Sequence, residues 1–181
     1  MKKIMLSILL ASSLFINGQE KRNKGKFNLS GTVDVYHSSN LTNGALGSVG
    51  ILSEGNPDEA TNKLTITNSQ IYNSSNFGVL GRNTSIRAEN LVINNSGQSS
   101  FAATFGGKYN VTHSTIGNYW TNSSRQLPAL LINNFLETSA SVFLADLTEA
   151  NFNNCIIYGN DTAEFIVDEL QDDSNSVAFN F

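Results

Sequence analysis

Four ten-residue segments of this chain carry isoleucine at the same position, and that recurrence constrains the fold more than any other feature. They are LTITNSQIYN from Leu64, IRAENLVINN from Ile86, YNVTHSTIGN from Tyr109 and ANFNNCIIYG from Ala150, with starts 22, 23 and 41 residues apart. The eighth position holds Ile71, Ile93, Ile116 and Ile157. The first holds Leu64, Ile86, Tyr109 and Ala150, and the third Ile66, Ala88, Val111 and Phe152. Apolar residues two apart mark a strand with one buried face. No single repeat of this kind closes off its own apolar face, so the repeats must stack and share a core. The isoleucines would then lie about one strand spacing, roughly 4.8 Å, apart.

The fifth position explains the asparagine content. It holds Asn68, Asn90, His113 and Asn154. Asparagine tolerates left-handed turn geometry and bonds nearby backbone, so these residues are expected to turn the chain and to bond to one another from repeat to repeat. His113 is also readable as a catalytic base; its slot favours a structural role. Ser/Asn-rich turns follow at 73–76 and 96–98, then a third strand at 77–80, 100–104, 129–132 and 164–167. Three short strands per repeat, with no helical period between them, describe one coil of an all-β solenoid.

Upstream, Val33 to Leu52 reads as a degenerate first coil. Leu41, Thr42 and Asn43 align with Ile71, Tyr72 and Asn73, and Gly55 to Glu59 reads as a loop leaving that coil. The stack is therefore expected over residues 33–181, with loop excursions at 118–127 and 133–149. Residues 19–32 form a basic lead segment or N-terminal cap containing Lys21, Arg22, Lys24 and Lys26. Met1 to Gly18 reads as a secretory signal: Lys2 and Lys3 precede an apolar run from Ile4 to Ile16, and Gly18 suits the position before cleavage. The run is shorter than the roughly 20 residues a spanning helix needs. The expectation is a protein exported to the medium or cell surface, with no membrane span after signal removal.

Net charge is −4 and charged residues make up only 14% of the chain, so its polarity rests on Asn, Ser and Thr. The mildly acidic balance argues against a nucleic-acid partner. Cys155 is the only cysteine, which excludes an internal disulfide. It shares a slot with Ser69, Leu91 and Ser114. That slot suggests a buried, inert thiol, the alternative being an intermolecular bridge.

These segments resemble the right-handed parallel β-helix repeat proteins of the pectate-lyase-like superfamily, and within it secreted or surface proteins of Bacteroidetes-type bacteria. TNSQIYNSSNFGVLGRNTSIRAENLVINNSGQSS and NFNNCIIYGN carry the likeness, which extends from Val33 to Val167. The resemblance implies a right-handed single-stranded parallel β-helix of about four to five coils. It also implies, for active members, a polysaccharide lyase or glycoside hydrolase. Glycoside hydrolysis needs two carboxyl groups across the scissile bond, and calcium-assisted elimination needs a carboxylate cluster. Between Leu64 and Phe135 the sole acidic residue is Glu89. Arg82, Arg87, Lys108 and Arg125 remain as cations, and no spacing singles one out. Asp168, Glu169, Asp172 and Asp173 lack any calcium-loop spacing. No catalytic residue, metal or cofactor is therefore assigned, although an active or decayed lyase or hydrolase stays open as the alternative. Asp161-Thr162-Ala163 fits an O-glycosylation pattern resembling that of such exported proteins.

Binding has more support than catalysis. The turn after Ile116 is longer than its equivalents and contains Tyr119, Trp120 and Arg125. Flat aromatic faces stack on sugar rings, and a guanidinium donates in pairs. These three are the candidate ligand-binding residues for a polysaccharide or cell-surface glycan; alternatively, Tyr119 and Trp120 cover the core beneath the loop. The excursion from Asn133 to Glu149 is rich in apolar residues and is expected to fold back or meet a partner. Val177, Phe179 and Phe181 alternate like the opening strand of another coil. An uncapped strand edge invites self-association, and the pattern fits a truncated or partial member.

Overall fold

The computed structural model describes residues 27–34, 49–55, 57, 62–171 and 176–181. The signal segment, the basic cluster, the Leu41 alignment, most of the Gly55–Glu59 loop, Asp172 and Asp173 lie outside these residues. Among the described residues every regular element is a β-strand. Eleven strands form one curled parallel sheet and two form a separate antiparallel pair.

The parallel strands fall into three columns. The first stacks β1 (Phe27–Asp34), β3 (Leu64–Ser74), β4 (Val79–Ser96), β5 (Phe101–Thr112), β10 (Leu147–Asn153) and β13 (Val177–Asn180). It aligns Phe27, Leu64, Ile86, Tyr109, Ala150 and Phe179. The second uses the later parts of β1, β3 and β4, then β6 (Thr115–Asn118) and β11 (Ile156–Gly159). It sets Val33, Ile71, Ile93, Ile116 and Ile157 in one line. The third joins β2 (Ile51–Glu54), the openings of β4 and β5, β7 (Leu130–Asn133) and β12 (Phe165–Asp168). Its line is Ile51, Val79, Phe101, Leu130 and Phe165.

The core lies inside this curl. Ile71, Ile93 and Ile116 are fully buried, while Ile157 packs against the core from a partly exposed position. Burying such a side chain contributes about 1.5–3 kcal/mol. Phe101 sits at the centre, edge-on to Tyr109 at 6.3 Å and to Phe152 at 5.7 Å. Gly81 makes room for Tyr109, because a Cβ there would stand 2.6 Å from its ring. The Tyr109 hydroxyl donates to the Gly106 carbonyl at 3.0 Å.

Asn68, Asn90, His113 and Asn154 all adopt left-handed backbone, with φ between 49° and 54°. The pairing steps over them, since Thr67 faces Glu89 and Ser69 faces Leu91. One left-handed residue turns the chain without interrupting the ladder. The short strands expected on either side of Asn68 and Asn90 are therefore single bent strands.

Three features go beyond the sequence reading or depart from it. Among the described residues pairing is already present at Phe27, inside the segment expected to precede the coils, and Val33 takes the place opposite Ile71. The 133–149 excursion contains a hairpin of β8 (Phe135–Glu137) and β9 (Val142–Leu144), which leaves Leu136, Val142 and Phe143 exposed. The outer side of the third column is apolar: Leu52, Leu80 and Ala102 form a second buried cluster with Val49, Phe77 and Leu131.

Candidate functional site

The candidate site is the corner after the second column, where the chain must close its last carbonyls and amides before entering the third. In the first two complete repeats the corner is short. Asn73 and Asn95 turn it with left-handed backbone, at φ 63° and 56°, and the Asn95 amide donates to Asn73 Oδ1 at 3.4 Å. In the third repeat Asn118 occupies that place, fully buried. Its Oδ1 accepts from the Ser96 amide at 3.1 Å and the Trp120 amide at 3.2 Å. Its Nδ2 donates to the Ser96 and Gln98 carbonyls at 2.9 and 2.8 Å. Asn118 thus ties the long loop to the short corner one strand away.

The three expected binding residues are treated differently by the fold. Trp120 is only 8% exposed. Its indole lies against Gly97 and donates to Ser123 Oγ at 2.8 Å. Arg125 is drawn inward, its side chain 3% exposed. It grips Glu164 with both amino groups at 2.6 and 2.8 Å and donates to the Leu127 carbonyl at 2.9 Å. Glu164 also accepts the amides of Ala129 at 3.0 Å and Asp161 at 2.7 Å. Burial opposes the charge on Glu164, but Arg125 and these amides outweigh it and hold the carboxyl below its usual range. Only Tyr119 presents its side chain to solvent, at 45% exposure.

Tyr119 is not alone. Its ring meets Tyr158 edge-on, with centroids 5.5 Å apart, and Tyr158 is 42% exposed. Tyr158 pairs with Gly117 in the second column. A Cβ on Gly117 would lie 3.4 Å from Tyr158 Cε1 and Cζ, so the ring rests over the glycine. Tyr158 was legible as the ninth residue of its segment, in the outward slot beside Ile157, but nothing local linked it to Tyr119.

The fifth-slot residues bond as two pairs. Asn90 Nδ2 donates to Asn68 Oδ1 at 2.8 Å, and Asn154 Nδ2 lies 3.3 Å from His113 Nε2. In the next slot Ser69 and Ser114 donate to the carbonyls of Thr67 and Thr112, each at 2.8 Å. Cys155 copies them, with Sγ 3.4 Å from the Asn153 carbonyl. It is half-buried, and burial pushes its thiol pKa up.

The charged side chains flanking the columns are largely engaged. Lys108 pairs with Glu149 at 2.7 Å, Arg87 with Glu89 at 3.0 Å and Arg82 with Glu54 at 3.0 Å. The hydrogen bond from Lys108, and then that from Asn110, lowers the Glu149 pKa. No group of three or more His, Cys, Asp or Glu able to hold a metal ion occurs among the described residues. No helix among them is long and apolar enough to cross a membrane. No family model, curated protein or solved structure matches this chain.

Proposed function

We propose that this chain is an exported, non-enzymatic right-handed parallel β-helix that acts as a glycan-binding or structural module at the cell surface. The three strand columns support the solenoid reading, and parallel crossovers are right-handed in nearly all proteins. Export rests on the N-terminal sequence pattern. The observation that carries the binding reading is the Tyr119–Tyr158 pair: two exposed rings held edge-on, one resting on a glycine of a rigid strand. Exposed aromatic faces fixed on a scaffold suit sugar rings. Arg125 and Trp120 contribute by shaping the loop that carries Tyr119.

A glycan array probed with the full chain tests this. Binding to saccharides without turnover is expected. Unsaturated products, seen as new ultraviolet absorbance, would overturn the non-enzymatic part and favour the lyase alternative. The absence of any glycan binding would remove the ligand and leave only a structural role.

Self-association through the C-terminal edge belongs to the same reading. Phe165, Phe179 and Phe181 cluster there with ring centroids 4.6 and 5.5 Å apart, and the last two are about half exposed. Light scattering should show mass rising with concentration. A monomer at every concentration would refute it.

A further inference from the structure

The outward face of the second column carries amide, hydroxyl, aromatic and aliphatic side chains from β3 to β11. From β3 to β11 its outward positions run Gln70, Val92, Thr115 and Ile156 in one line, and Tyr72, Asn94, Gly117 and Tyr158 in the other. One residue beyond the Ile93–Ile116 pair, Asn94 stands beside Gly117, in agreement with Asn94 Oδ1 at 3.5 Å from a Cβ placed there. None of these residues is charged. The neighbouring first-column face, by contrast, holds Arg87, Glu89, Lys108 and Glu149 in ion pairs.

Two features on this strip suit a ligand. At one end a shallow cavity of about 290 Å³ is lined by Gln70, Tyr72, Asn73, Val92, Asn94 and Asn95, among others. That is near the lower bound for small-molecule sites. At the other end stand the rings of Tyr158 and Tyr119. Tyr72 and Tyr158 are three strand steps apart, about 14 Å at a typical strand spacing. Between them lie amide and hydroxyl groups, from Asn94 and Thr115, that can both donate and accept.

We propose that this strip binds a neutral, linear oligosaccharide lying along the stacking direction. One sugar ring sits against Tyr158 and Tyr119, another enters the cavity beside Tyr72, and the sugar hydroxyls between them meet Asn94 and Thr115. This rests on the glycan-binding reading above and adds the ligand's charge class, its direction and a second contact point. The uncharged lining offers no cation to pair with a uronate or sulfate. The paired tyrosines supply apolar surface that a neutral sugar ring can cover.

Titration of the full chain with neutral β-glucan, xylan and mannan oligosaccharides of two to six units, and with oligogalacturonates of equal length, tests the proposal. The neutral series should bind, with affinity rising until the ligand spans both ends and then levelling. Affinity should be nearly independent of salt, because few counterions are displaced. Tyr158→Ala should weaken the longer ligands about tenfold and Tyr72→Ala about threefold, on the scale of one lost aromatic contact. Tyr158→Phe should keep most of the affinity, and urea midpoints should confirm that all variants remain folded. Tighter binding of oligogalacturonate would overturn the proposal while leaving glycan binding intact. Neutral-sugar binding untouched by Tyr158→Ala and Tyr72→Ala would do the same. Binding of no saccharide at all would remove both this proposal and the reading beneath it.

Discussion

The corner after the second column is built in two ways, and the contrast explains how the molecule admits variation. At residues 73–78 and 95–100 the chain turns sharply and backbone does most of the work. Gly97 and Gln98 donate to the carbonyls of Ser74 and Asn76 at 2.9 and 2.8 Å. At 118–129 the loop is too long for such pairing. Side chains take over: buried Asn118 anchors its start, and the Arg125–Glu164 pair anchors its end to the following repeat. Where the repeat is regular, stability is spread over many small contacts. Where it is interrupted, stability concentrates in a few residues.

The sharpest way to break that contrast is at Glu164. Glu164→Ala takes the close carboxylate from a buried guanidinium, leaving it the Leu127 carbonyl, Asn160 Oδ1 and Asp161 at 3.8 Å, and should cost about 3 kcal/mol in denaturant unfolding. The pair also predicts a pH response. Because the folded-state pKa of Glu164 is lowered, its contribution is complete above the ordinary carboxylate pKa and is lost as pH falls through the lowered value. Glu164→Gln should therefore flatten the acid limb of a stability–pH curve. An unchanged limb would show that the ion pair does not hold the loop.

A smaller effect is expected at Asn118. Asn118→Ala strands several buried backbone groups and should cost about 2–3 kcal/mol, whereas Asn95→Ala, at the same place in a regular repeat, should cost about 1–2 kcal/mol, most of it for the positive φ. Equal losses would erase the distinction between the two kinds of corner. The smallest effect belongs to the left-handed corner itself. Asn68→Gly should be nearly neutral, while Asn68→Ala should cost about 1–2 kcal/mol for the positive φ alone.

Much of this was readable in the sequence because stacked repeats convert distance in space into a period along the chain. The isoleucine line, the third-column strands and the asparagine corners all follow from spacing. The strand from Phe27 was missed because it has no asparagine at the corner: Ser30 and Gly31 are adjacent where Thr67 and Ser69 flank Asn68, so the register shifts there. Its signal was present in Phe27, Leu29 and Val33, which fall opposite Leu64, Ile66 and Ile71. The role of Arg125 was not readable, whereas Trp120 takes the alternative weighed for it, cover over the core beneath the loop. Arg125 and Glu164 are 39 residues apart, and no period links a loop residue to its partner. Type and position suggested recognition; burial assigned both to the scaffold.

The 41-residue step between Tyr109 and Ala150 has a consequence for how such a chain can change over evolutionary time. Loop-closure cost grows only with the logarithm of length, so lengthening a connection from 22 to 41 residues adds about 0.6 kcal/mol. The register of β10 on β5 is resumed after the hairpin, with Ala150 opposite Tyr109 and Phe152 opposite Val111. New segments can therefore enter at a corner with little penalty, provided the first residues after them restore the inward pattern. The corners are places where sequence can be gained or lost, while the columns stay fixed by their neighbours.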